Sequence, residues 1–172
     1  MRRLYLVRHA EAADLDGGHA TCDADRKLTP KGRRQARRMA ALLDAVGLAN
    51  PVVAASPLLR AVQTAEILAQ RLVTEDLVIP MPAMAPGGDA EDVLAFLRSL
   101  HGRDLVAVGH MPDLALMAAW LLGAAGRGGI EFKKAGTAAF RFDGTIAPGM
   151  AVLEWLVHPR LTRARRLMGT AS

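Results

Sequence analysis

Four short apolar runs, at residues 4–7, 51–55, 77–79 and 105–108, alternate with longer segments whose apolar residues recur at helical spacing. Runs of three to five residues rich in Val, Leu, Ile and Ala, without polar alternation, fit strands buried on both faces. Thr29-Pro30 offers an N-cap and a first-turn proline to a helix over about residues 30–46, and Ser56-Pro57 opens a second over about 57–72. Gly87-Gly88-Asp89 caps a third over about 90–101, and Met111-Pro112 starts a fourth that reaches about 122. Strand followed by helix, four times over, predicts an α/β fold: a single-domain, mostly parallel open sheet flanked by helices on both faces.

The remainder of the chain changes character. Residues 137–142 and 150–157 are β-rich and are joined through Asp143-Gly144 and Pro148-Gly149, so two further strands are expected to extend the sheet. The 172 residues suit one domain over 1–160 and a basic tail over 161–172, and the arginine cluster of residues 160–166 at that boundary reads as a solvated basic terminus. With 51% hydrophobic residues the chain has material for one sizeable core. No apolar stretch approaches the roughly 20 residues a membrane span needs. The first apolar run stops at Arg8-His9 and makes a poor signal peptide. Cys22 is alone, which excludes an intramolecular disulfide and a cysteine-based zinc pattern, and a cytoplasmic setting is expected.

In open α/β sheets ligands bind beyond the carboxyl ends of the strands. The residues at those positions are Arg8 and His9 after the first strand, Ser56 and Arg60 after the second, and Gly109 and His110 after the fourth. Two arginines and two histidines converging on one rim suit a phosphoryl group. Its charge is spread over three oxygens and needs fixed cationic donors, which guanidinium supplies bidentately. An imidazole can attack phosphorus in line and carry the group covalently without a metal, while a second, protonated imidazole donates to the oxygens.

Four motifs in order carry a resemblance to a known family. Leu6-Val7-Arg8-His9-Ala10-Glu11 resembles the Arg-His-Gly signature of the histidine phosphatase superfamily, which also contains the phosphoglycerate mutases. Leu28-Thr29-Pro30-Lys31-Gly32 with Gln35-Ala36 resembles its first-helix entry, and Ser56-Pro57-Leu58-Leu59-Arg60-Ala61-Val62-Gln63-Thr64-Ala65 its second arginine motif. Val108-Gly109-His110-Met111-Pro112 is similar to its second histidine motif. The resemblance spans about residues 2–122 and implies a phosphoglycerate mutase-like fold. It also implies His9 as nucleophile, Arg8 and Arg60 as phosphate ligands, His110 as a second phosphate-binding group, and no metal or other cofactor. The short chain and the stretch from Pro82 to Asp89 most resemble the SixA-type phosphohistidine phosphatase subgroup, which lacks the insertions that cover the mutase site.

Two positions depart from the family pattern. Ala10 replaces the signature glycine, a mild change. Ala83 stands where many relatives carry the glutamate that protonates the leaving oxygen, and losing a general acid typically removes about 10²–10⁴ in rate. Imidazole is a far better leaving group than an alkoxide, since its conjugate acid has a pKa near ~6.5. A phosphohistidine displayed on another protein domain is therefore the expected substrate. A small phosphate ester is the alternative, and a catalytically weak phosphate-binding module is a third reading.

Other polar residues have plainer readings. Glu11, Asp14, Asp16 and His19 follow the nucleophile and read as solvated loop residues, although one of them could replace the absent acid. Ser56 reads equally as an N-cap or a ligand, and Asp89 with Asp92 as helix-start residues. The net charge is +5, and 18 of the 22 cationic residues are arginine. Arg33, Arg34, Arg37 and Arg38 fall largely on one side of a helix, a solvated face that could dock an acidic partner domain. Nucleic-acid binding is not expected, because no aromatics are interleaved with the basic residues, and no membrane partner is expected.

Overall fold

The computed structural model describes residues 1–14, 22–74, 76–124 and 129–162. Six strands form one sheet: β1 (Arg2–Arg8), β2 (Val52–Ala55), β3 (Ile79–Pro80), β4 (Leu105–Gly109), β5 (Thr137–Phe142) and β6 (Val152–Val157), in the spatial order β3-β2-β4-β1-β5-β6. The first four strands are parallel, with β1 and β2 both pairing with β4. β5 and β6 join antiparallel beyond β1. Four helices complete the fold: α1 (Pro30–Ala45), α2 (Leu59–Leu72), α3 (Ala90–Ser99) and α4 (Asp113–Leu121).

Successive side chains of a strand face opposite sides, and the inner strands use both. Leu4, Leu6, Ala54 and Ala107 pack with Leu94, Leu97 and Leu114 of α3 and α4. Tyr5, Val7, Val53, Val106 and Val108 pack on the other face with Met39, Leu43 and Leu68 of α1 and α2. This double covering is why the strand runs are continuously apolar.

The expected elements are present with small changes at their ends. Thr29 caps α1 by accepting the Gly32 N–H at 2.9 Å, and Asp89 caps α3 by accepting the Glu91 N–H at 2.8 Å. β3 shrinks to two residues, consistent with the prolines at 80 and 82, which have no N–H to give a ladder. Helix α2 begins at Leu59 rather than at Ser56-Pro57, with Leu58 in the N-cap position and no side-chain cap. The basic tail lies outside the described residues from 163 onward, as do Asp16 and His19. On α1, Arg34 and Arg37 are exposed while Arg33 and Arg38 are half-buried. Among the described residues no helix is long and apolar enough to cross a membrane.

Parallel register sets the functional edge. Arg8 lies beside Gly109, and Ala55 beside Val108, so the residues that follow β1, β2 and β4 emerge at one end of the sheet. Two further backbone bonds continue the ladders into that end, from His9 N to Gly109 O at 3.0 Å and from Ser56 N to Val108 O at 2.9 Å.

Candidate active site

Arg8, His9, Arg60 and His110 are brought together, and the two imidazole centroids are 5.0 Å apart. His9 is 5% exposed and His110 3%. His9 Nδ1 is 2.7 Å from the carbonyl oxygen of Ala10. A carbonyl can only accept, so Nδ1 carries the ring hydrogen and the lone pair is left on Nε2, the state a nucleophile needs. Burial pushes the His9 pKa down to about 3, helped by the nearby positive charge of Lys134. The ring is therefore neutral at pH 7 without a neighbouring base.

The segment after His9 is fixed from two helices. Ala10 N–H donates to Thr64 Oγ1 at 3.0 Å, and that hydroxyl donates to Arg60 O at 2.7 Å. Glu11 N–H donates to Gln35 Oε1, and Leu28 N–H to Gln63 Oε1. Gly32 lets α1 approach this backbone closely, since a Cβ there would lie 1.9 Å from Glu11 O. Gln35, Gln63 and Thr64 of the helix motifs thus hold the backbone around His9.

His110 Nε2 is 2.8 Å from Ser56 Oγ, which also accepts the Leu58 N–H at 3.3 Å. The structure gives Ser56 no other acceptor for its own proton among the described residues, so the hydroxyl donates to Nε2 and Nδ1 carries the ring hydrogen. That buried Nδ1 has no hydrogen-bond partner. It is a donor waiting for an acceptor. Burial, and then Arg60, hold the His110 pKa down to about 4, so the free site favours a neutral ring where the sequence suggested a protonated one. A bound dianion would raise it.

The arginines are half committed. Arg8 Nη1 donates to Phe132 O at 2.7 Å, while its buried Nε is unpartnered. Arg60 is 5% exposed and donates from Nη1 to Asp23 O at 2.7 Å and from Nη2 to Asp23 Oδ2 at 2.9 Å, again with Nε unpartnered. Buried polar groups are nearly always satisfied, and an anionic ligand with several oxygens would satisfy the free donors of Arg8, Arg60 and His110.

Beside His110 opens a cleft of about 350 Å³, lined among others by Ala83, Asp89, Asp113, Leu116 and Trp120. Ala83 presents only a methyl group there. Asp89 accepts the Glu91 N–H and Asp113 the Gly87 N–H, so both carboxylates hold backbone. Glu11 is bound by Lys31 at 2.6 Å and Thr29 at 3.1 Å, and the Lys31 ammonium holds its pKa below the usual carboxylate value. It is tied to the start of α1 rather than left as the solvated loop residue the sequence suggests. Asp14 is exposed and bonded to Arg26.

Several members of the site were not singled out from sequence. Thr64 sat within a recognised motif without a role. Asp23 starts a 3-10 turn (Asp23–Asp25) and Lys134 lies in the turn before β5, and the approach of both to the rim depends on tertiary structure. The one available signal for Lys134 is its place three residues before a strand that pairs with the strand carrying Arg8.

A buried neutral imidazole beside two arginines that each keep an Nε without a partner, at the carboxyl edge of an α/β sheet, suits a phosphoryl group. The model of the histidine phosphatase superfamily (branch 1) matches residues 4–80. An uncharacterized protein of Picosynechococcus sp. is 39% identical over 142 residues, covering 80% of this chain and 84% of its own. The phosphohistidine phosphatase SixA of Escherichia coli K12 is 32% identical over 122 residues, covering 69% of this chain and 73% of its own. The structure of a protein histidine phosphatase SixA complexed with tungstate superposes with a TM-score of 0.79 at 28% identity, over 92% of this chain and 98% of that one. A phosphoserine phosphatase mutant from Entamoeba histolytica, in complex with phosphoserine, shares the fold at a TM-score of 0.69 and 19% identity, over 91% and 96% of the two chains. The chain belongs to the histidine phosphatase superfamily, among its SixA-type members.

Proposed function

We propose that this phosphatase works through a phosphohistidine intermediate on His9 and that its substrate is a phosphohistidine carried by another protein. In the first step the lone pair on His9 Nε2 attacks phosphorus in line. The bond from phosphorus to the substrate imidazole breaks, and that ring, protonated on its other nitrogen, leaves with the electron pair as neutral imidazole. In the second step water attacks the phosphoryl group on His9, the P–N bond breaks, and inorganic phosphate is released. Arg8 and Arg60 neutralise the oxygens, and the His110 Nδ1–H donates to one of them.

The observation that carries the substrate class is the cleft beside His110, where Ala83 offers a methyl group and both neighbouring carboxylates already accept backbone amides. An alkoxide leaving group needs a proton donor there; an imidazole does not. A phosphomonoesterase acting on small esters is the second reading, favoured by the charge of Asp113, which raises the pKa of His110 against the effect of burial.

The test is a competition among a phosphohistidine protein, phosphotyrosine, phosphoserine and small phosphate esters, with His9→Ala as control. Preference for phosphohistidine is expected, with an acid-labile, alkali-stable adduct on the wild type that His9→Ala lacks. Preference for small esters overturns the substrate assignment. Phosphate binding without adduct or turnover overturns the enzymatic one.

A further inference from the structure

The turn that enters β5 is locked onto the nucleophile. Arg8 donates from its backbone N–H to Gly136 O at 3.0 Å and from its guanidinium to Phe132 O at 2.7 Å. Ala135 N–H donates back to His9 O at 3.2 Å, and Gly136 N–H closes the turn on Lys133 O at 2.7 Å. Ala135 takes a left-handed φ of 57°, and a Cβ on Gly136 would come within 2.8 Å of Lys133 O, so this conformation is held by the four bonds and the glycine together. Lys134 sits between these anchors.

Its neighbour Lys133 is exposed and pairs with Glu131. Lys134 is half-buried and, among the described residues, has neither a hydrogen bond nor an ion pair. The charges that act on it are those of Arg8 from β1, Arg26 from the loop before α1, and Arg60 from α2, all repelling, with only Glu11 attracting. Glu11 is already taken by Lys31 and Thr29. Lys134 in turn disfavours protonation of His9 and His110, which places its charge at the same rim. Burial and the three guanidinium groups push its pKa down to about 8. A buried cation among cations is expensive unless an anion completes the group.

We infer that the Lys134 ammonium is a further phosphate ligand, which binds the oxygens of the phosphoryl group on His9 together with Arg8 and Arg60. This rests on the reading of the rim as a phosphoryl pocket. The lysine is then a burden on the free protein and an asset in the liganded one. Its removal acts with opposite signs on the two states, a pattern that a merely structural lysine does not produce.

The experiment measures inorganic phosphate and tungstate binding by calorimetry, with thermal melts, on the full chain as wild type, Lys134→Met, Lys134→Gln and Lys134→Arg. Loss of one charge-assisted contact is expected to weaken both anions by about tenfold or more in the Met and Gln variants, with most of the affinity kept in Lys134→Arg. The unliganded Met and Gln variants are expected to melt at or above the wild-type temperature. At pH 8.5 the wild type is expected to take up protons on binding, an uptake that the Met and Gln variants lose in large part. Wild-type affinity in both the Met and Gln variants, or a lowered melting temperature of both without any anion, overturns the assignment of Lys134. Failure of the wild type itself to bind either anion instead overturns the phosphoryl-pocket reading beneath it.

Discussion

Thr64 Oγ1 stands 3.0 Å from the amide nitrogen of Ala10 and is the partner that keeps this buried N–H satisfied directly after His9. The hydroxyl is fully buried and is itself oriented by the Arg60 carbonyl, so one side chain ties the segment after His9 to the helix of Arg60. Thr64→Val keeps the shape and removes the acceptor. An orphaned buried donor costs about 1–3 kcal/mol. Urea denaturation is expected to show that loss, and turnover to fall beyond what the stability change explains, because Ala10 O also fixes the His9 ring. An unchanged rate would show that α2 alone positions the loop.

Gly32→Ala tests the close approach of α1 to the same loop. The added methyl would collide with the Glu11 carbonyl, a backbone atom that Thr29 N–H already holds at 3.0 Å. Overpacking of this kind typically costs about 1–3 kcal/mol, occasionally more. The variant is expected to melt lower despite alanine's higher helix propensity; a higher melting temperature would mean that helix and loop slide apart freely.

The two site histidines make stability depend on pH. Their folded pKa values, about 3 and about 4, lie below the ordinary 6.5, so the unfolded chain binds more protons throughout the interval between. Stability is then fully present above pH 6.5 and is lost as the pH falls toward 4. Between pH 6.5 and 4.5 the loss should be about 4–5 kcal/mol by linkage, and denaturant titrations of a His9→Asn, His110→Asn double variant should be flatter over that window. Equal slopes for the two proteins would mean that the rings protonate in place.

Ala83→Glu restores a carboxyl group to the cleft beside His110. If leaving-group chemistry governs substrate choice, kcat/KM for alkyl phosphates should rise by about 10- to 100-fold, within the range of general-acid effects, while phosphohistidine turnover changes little. Steady-state kinetics on both substrate types decides it; no gain on alkyl esters would place the selectivity elsewhere in the cleft.

Much of this was legible in the sequence because it is local. A strand buried on both faces, followed by a capped amphipathic helix, leaves its signature within a dozen residues, and the polar residues at the strand ends name the rim. What escaped depends on pairing at long range. Lys134 and Phe132 reach Arg8 only because β5 runs antiparallel beside β1, with Thr137 opposite Val7. Asp23 meets Arg60 across 37 residues, and Thr64 meets Ala10 across 54. Helix α2 starts two residues past Ser56-Pro57 because Ser-Pro is only a local helix-opening signal, whereas the Ser56 hydroxyl is engaged by the His110 ring at the neighbouring strand end.

The turn at residues 132–136 also sets an order of events for a growing polypeptide. All four recognised motifs have left the ribosome by the time Pro112 emerges, yet the Arg8 guanidinium and the backbone of Arg8 and His9 still lack the partners supplied by Phe132, Ala135 and Gly136. A nascent chain therefore holds every signature residue before it holds a finished pocket, and the last third of the sequence, which carries none of those motifs, completes the site.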